Sequence, residues 1–229
     1  MGCCMDLENR SIEVENGMAV SSVWAVPSAY DPDRGTALIL AHGAGADMNH
    51  EFMVDFQSRL TEAGNLTIRF NFPYTEQGRR APDRRPRLEA TFRAVLKGFR
   101  DSSLNAARVF IGGKSMGGRI ASYLAASGED VSGLVFLGYP LHPPNRHQQL
   151  RTSHWEKIRC PALFIQGTRD TLCNLDLLGR ELKAFGGPTE VHFIEGGDHS
   201  FKTLKKLGRT QAQVRFEISE EIQRWLNAV

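Results

Sequence analysis

The chain has 229 residues, 41% hydrophobic and 24% charged, which suits a single α/β domain over 1–229 with a sizeable core. Lys and Arg total 28 against 26 Asp and Glu, a net charge of +2, so neither a nucleic-acid-coating surface nor an acidic disordered tail is expected. No apolar run approaches the roughly 20 residues a bilayer requires, so no membrane span is expected. The start, MGCCMDLENR, lacks the apolar stretch of a secretory signal. Gly2-Cys3-Cys4 has the look of an acylation site, but Asp6 stands where that pattern needs Ser or Thr, so an unstructured start is expected. Cys3, Cys4, Cys160 and Cys173 form neither a disulfide framework nor a paired zinc motif, which fits a reducing, cytoplasmic setting.

In chain order, SIEVENG and MAVSSVWAVP (11–26) predict an antiparallel hairpin at a sheet edge, turning at Asn16-Gly17. TALILAH (36–42) is a buried strand. Phe52, Phe56 and Leu60 mark one face of a helix over 49–63, stopped by Gly64. LTIRFNFP (66–73) is a strand ended by Pro73, and a polar loop with Arg79, Arg80, Arg84, Arg85 and Arg87 follows. Leu88, Phe92, Val95, Leu96 and Phe99 give a second amphipathic helix. RVFIGG (108–113) predicts a strand and MGGRIASYLAAS (116–127) a helix; VSGLVFLGYP (131–140) and PALFIQG (161–167) are further strands. A helix over 175–185, a strand TEVHFIEG (189–196) and a helix carrying Val214, Ile218, Ile222 and Trp225 close the chain. This alternation predicts a mostly parallel twisted sheet with helices on both faces.

Gly113-Lys114-Ser115-Met116-Gly117 is a GxSxG pattern, which chance produces in about one chain of this length in ten. Alone it reads as readily as a tight βα turn whose glycines serve packing. A phosphate loop would need glycine at Arg108. A strand running in and a helix running out are what a serine nucleophile needs, because the sharp turn lifts the hydroxyl off the sheet. A serine also needs a base, an orienting acid and oxyanion donors. Asp170 follows PALFIQG and His199 follows TEVHFIEGG, so both lie at the C-terminal strand ends shared with Ser115. The order Ser, Asp, His is that of the α/β-hydrolases. Asp198 is a chain neighbour of His199 and poorly placed to orient it, so Asp170 is the acid. The remaining histidines lack metal-ligand spacing. Met116 N–H is the expected first oxyanion donor, and Ala44, then Gly45, from the loop after TALILAH, the second.

HGAGAD, FNFPY…GRRAPDR, GGKSMGGR, LGYPLHPP, QGTRD and GGDHSF occur in this order between residues 42 and 201. Together they resemble the small α/β-hydrolase family that includes dienelactone-hydrolase-like proteins, testis-expressed protein 30 and the third subunit of the non-specific lethal complex. The resemblance implies an α/β-hydrolase fold, no cofactor, and Ser115, Asp170 and His199 as a triad. Dienelactone hydrolases use a cysteine nucleophile where this chain has Ser115. Only about twenty residues, through His142, Pro143, Pro144 and Trp155, are available as a cover, which predicts a minimal cap, an open site and small ester-type substrates. The run Arg79, Arg80, Arg84 and Arg85 should emerge at the same sheet edge, either to hold an acidic substrate group or as a solvated loop paired with Asp83. Two classes follow: a serine hydrolase working through an acyl-enzyme, or a non-catalytic interaction protein that keeps the fold.

Overall fold

Eight strands form one sheet in the computed structural model, which describes residues 5–229; the Gly2-Cys3-Cys4 start lies outside them. The strands are β1 (Met5–Val14), β2 (Met18–Pro27), β3 (Thr36–Ala41), β4 (Leu66–Phe70), β5 (Arg108–Lys114), β6 (Gly133–Leu137), β7 (Ala162–Gly167) and β8 (Thr189–Ile194). Their order is β1-β2-β4-β3-β5-β6-β7-β8. The β1–β2 hairpin pairs Val14 with Met18 and attaches antiparallel to β4; every other pair is parallel. β1 alternates half-buried with exposed positions, as an edge strand does, whereas β3, β4, β6 and β7 are buried throughout. Strands covered on both faces cannot afford alternation, and this is why they read as continuous apolar runs in the sequence.

The helices are α1 (Glu51–Glu62), α2 (Pro73–Glu76), α3 (Arg85–Arg100), α4 (Met116–Ala126), α5 (Leu175–Glu181) and α6 (Gln211–Ala228). Two cores result. Phe52, Phe56 and Leu60 of α1 pack with Val214, Ile218 and Trp225 of α6 on one face of the sheet. Phe92, Val95 and Phe99 of α3 pack with Ile120 and Leu124 of α4 on the other. Each fully buried aromatic or aliphatic side chain in these layers contributes roughly 1.5–3 kcal/mol.

Three expectations need correction. The strand expected over 66–73 ends at Phe70, because Pro73, with its fixed φ and no N–H, opens the short helix α2. Arg85 and Arg87, expected in a loop, lie in the first turn of α3, where Pro86 is tolerated and preorganises the helix. Trp155, expected in a cover, is 1% exposed and packs edge-on against Tyr139, Phe164 and Phe185. Its ring is worth more to the α3/α4 core than it would be over an open site.

The order of strands fixes where a site can form. From β3 the chain crosses to β4 on one side; from β5 it crosses to β6 on the other. Loops leaving β3 and β5 therefore diverge and open a crevice at the C-terminal strand ends, the usual ligand position in open α/β sheets.

Candidate active site

The loops after β3, β5, β7 and β8 meet at that crevice. Ser115 caps α4 with φ 50° and ψ −109°, a backbone conformation that an L-residue adopts only when its surroundings impose it. The surroundings are visible. A Cβ on Gly113 would come within 2.1 Å of the Ala41 carbonyl oxygen, and one on Gly117 within 2.2 Å of the same atom. Only glycine admits β3 so near, and that approach forces the turn. Ser115 N–H donates to Leu137 O at 3.0 Å, which pins the elbow to β6.

Ser115, His199 and Asp170 form one hydrogen-bonded chain. Ser115 Oγ lies 2.8 Å from His199 Nε2, and His199 Nδ1 lies 2.7 Å from Asp170 Oδ2. The Asp170 side chain is shut off from solvent. Burial pushes its carboxyl up, but the His199 hydrogen bond and charge, the Leu172 amide at 2.8 Å and the Gln166 amide at 2.7 Å outweigh burial and hold it below its ordinary value. An ionised Asp170 makes Nδ1 the protonated nitrogen and leaves Nε2 free to accept from the serine hydroxyl. Asp198, by contrast, accepts from the amides of Ser200 and Lys202 at 2.8 and 2.9 Å and shapes the loop.

The loop after β3 lies against the serine, since a Cβ on Gly43 would sit 3.6 Å from Ser115 Cβ. Its turn is closed by Ala46 N–H to Gly43 O at 3.3 Å. His42, fully buried, accepts from Phe72 N–H through Nε2 at 3.2 Å and so donates from Nδ1 to Gly43 O at 2.9 Å. Burial lowers its pKa, with the Gly43 carbonyl and Asp47 opposing, so this imidazole is neutral. Tyr74 also donates to Gly43 O, at 3.4 Å. Burial pushes its phenol up to about 12. Ala44 and Gly45 both line the cavity beside the serine. Met116 N–H, in the first turn of α4, has no acceptor within its helix.

A cavity of about 360 Å³ opens beside the serine, walled by Ala44, Phe52, Met53, Ser115, His199 and Arg215 among others. No residue between 138 and 161 lines it, so the segment expected as a cap leaves this side open. The four arginines divide. Arg79 and Arg80 line an adjoining cleft of about 430 Å³ that shares Gly45, Ala46 and His50 with the serine cavity. Arg79 is ion-paired with Asp83 at 2.6 Å. Arg84 faces a groove with Val14 and Met18 on another side, and Arg85 pairs with Glu89 at 3.0 Å and lies over the Tyr123 ring. Nothing local in the sequence marks Gln166, His42 or the contribution of α6 to the cavity, because their partners are distant in the chain. The TxxQ capping box at Thr210 and Gln213, which starts α6, was readable. Among the described residues no group of three or more His, Cys, Asp or Glu is arranged to hold a metal, and no helix is long and apolar enough to cross a membrane.

Solved structures share this architecture. An alpha-beta serine hydrolase homologue from Coxiella burnetii superposes with TM-score 0.74 at 20% identity, covering 96% of this chain and 97% of its own. Dienelactone hydrolase from Anabaena variabilis gives 0.77 at 16% identity, covering 98% of each chain. An α/β serine hydrolase without lid from Xanthomonas campestris gives 0.72 at 18%, covering 96% of this chain and 95% of its own. At such identities the likeness establishes the fold alone. The family description "Alpha/beta hydrolase domain" matches residues 34–227, most of the sequence, and the chain therefore belongs to the α/β-hydrolase family.

Proposed function

We propose that the protein is a serine hydrolase acting on small ester-type substrates through an acyl-enzyme, within the branch of the family that the ordered sequence motifs resemble. The observation that carries this reading is the unbroken chain from Ser115 Oγ to His199 to buried Asp170, at 2.8 and 2.7 Å. Ser115 Oγ attacks the ester carbonyl while His199 Nε2 takes its proton; the oxyanion accepts from the amides of Met116 and Ala44. Collapse breaks the bond to the alkoxy group, which leaves with the proton held on His199. A water molecule then gives a proton to His199 and its oxygen attacks the acyl carbon; the acid is released and Ser115 regains its proton. Asp170 stays ionised throughout, holding the tautomer and stabilising the imidazolium.

Within this reading Arg80, whose guanidinium has no ion pair among the described residues, is the arginine of the run best placed to favour an acidic substrate group. An Arg–carboxylate contact contributes about 1.5–3 kcal/mol when charge-assisted, roughly a ten- to hundredfold preference. The test is kcat/KM for a panel of short esters, thioesters and lactones, each neutral or bearing a distal carboxylate, with Ser115→Ala and Arg80→Gln. Turnover of at least one short ester that vanishes in Ser115→Ala supports the hydrolase. Turnover surviving in that variant, or none in the wild type, rejects it in favour of a non-catalytic binding role. An acidic-to-neutral ratio unchanged in Arg80→Gln removes Arg80 alone.

A further inference from the structure

Lys114, the residue before the serine, has no part in the mechanism above, yet its side chain crosses from the elbow to the histidine loop. Nζ donates to the main-chain carbonyl of His199 at 2.6 Å. It also lies 5.3 Å from the centroid of the Phe201 ring, and a Cβ on Gly138 would come within 3.0 Å of it. The side chain is half-buried and makes no ion pair among the described residues. Desolvating an ammonium for a single carbonyl is costly, so the contact calls for a reason. The loop it grips is a tight one: Phe201 N–H returns to Asp198 O at 2.9 Å, and Phe201 is held at φ 60°, a strained value for a bulky residue. Two strands, β6 and β7, separate β5 from β8 in the sheet, so Ser115 and His199 reach each other only across loops.

We infer that Lys114 is a positioning residue whose ammonium, bonded to the His199 carbonyl, holds the imidazole at the Ser115 hydroxyl. For its kinetic consequences this rests on the serine-hydrolase reading; for its structural ones it does not. The charged groups around Nζ are Asp170 and Asp198 from the loops after β7 and β8 and His199 itself, and His50, Glu51, Lys202 and Arg215 share the cavity wall. Burial brings the Lys114 ammonium down to about 8, with Asp170 and Asp198 opposing the fall. The charged form is therefore present below about pH 8 and lost above it, leaving an amine whose hydrogen bond to the carbonyl is weaker. The rate should therefore fall at alkaline pH as Lys114 loses its proton.

The experiment follows kcat and KM for p-nitrophenyl acetate from about pH 6 to about pH 9.5 in wild type, Lys114→Met and Lys114→Arg. Alongside, NMR measures solvent exchange of the His199 Nδ1 proton in each. Lys114→Met should lower kcat about ten- to hundredfold with KM little changed, lose the alkaline fall, and speed Nδ1 proton exchange. Lys114→Arg should recover most of kcat and keep its plateau through alkaline pH, because a guanidinium does not titrate there. A folded Met variant with wild-type kcat overturns the inference, as does an alkaline fall that persists in the Arg variant. If Lys114→Met does not fold, the Arg profile decides. If the wild type turns over no ester, the hydrolase reading fails on its own, and unchanged Nδ1 exchange in Lys114→Met against wild type then rejects the positioning role.

Discussion

Asp170→Asn is the most discriminating substitution at the site, because the new amide cannot accept from all three donors that Asp170 serves. Asp170 Oδ1 accepts from Leu172 N–H, and Oδ2 accepts from both Gln166 Nε2 and His199 Nδ1. If the Asn oxygen stays at Leu172, its NH2 faces two donors; His199 must then surrender its Nδ1 proton and carry one on Nε2, pointing at the serine it should deprotonate. If the amide flips, the oxygen serves His199 but the NH2 meets the Leu172 N–H in a buried place, which costs about 1–3 kcal/mol. The flipped form also lacks the negative charge that stabilises the imidazolium. Together these predict a fall in kcat of about 10³–10⁴-fold. Asp198→Asn is the control: its oxygen can still accept from Ser200 and Lys202, so the change should stay within about threefold, as for a retained hydrogen bond. Steady-state turnover of a p-nitrophenyl ester, with melting curves to confirm folding, measures both. The reasoning fails if folded Asp170→Asn keeps kcat within tenfold of wild type, or if Asp198→Asn is the more damaged of the two.

Gly117→Ala places a Cβ 2.2 Å from Ala41 O, a backbone atom that cannot yield, and should cost about 3 kcal/mol, lowering Tm by roughly 6–12 °C. Gly179→Ala in α5, where a Cβ meets nothing within 4 Å, should be neutral or stabilising by up to about 1 kcal/mol; equal effects of the two in calorimetry would contradict the packing account. His154, whose Nε2 lies 2.7 Å from Ser122 Oγ, is pushed down to about 4 by burial and then by Arg85 and Arg119. The unfolded chain then binds the extra proton first, so stability should fall as pH drops from about 6.5 towards about 4. His154→Gln should flatten that fall by about 1–2 kcal/mol, allowing for partial solvent screening, and denaturant titrations of identical slope across this window in both proteins would count against it.

The strands that carry the site were legible because burial on both faces leaves no choice of residue: TALILA, the RVFIGG run and ALFIQG sit where their composition put them. Ser115, Asp170 and His199 were legible for a related reason, each following such a run directly, so topology brings them to one edge. What the sequence concealed depends on partners far along the chain. Lys114 reads as a surface lysine until its carbonyl partner at His199 is known, and Gln166 as a strand residue until Asp170 is seen beside it. The arginine run misled through its charge: without an apolar face it suggests a loop, although Pro86 and the later Leu88 and Phe92 already belonged to a helix. Trp155 carried no local sign of depth, since it lies in a short 3-10 turn between polar residues, Trp155–Lys157.

The central claim is that Ser115 is a nucleophile activated by His199. Intact-mass and peptide mass spectrometry after treatment with a fluorophosphonate tests it without knowledge of the substrate. One covalent adduct per chain, mapping to the peptide that holds Ser115, slowed by Asp170→Asn and abolished by Ser115→Ala, is the predicted result. A folded wild-type protein that takes up no adduct, or an adduct that persists in full on Ser115→Ala, would contradict the account.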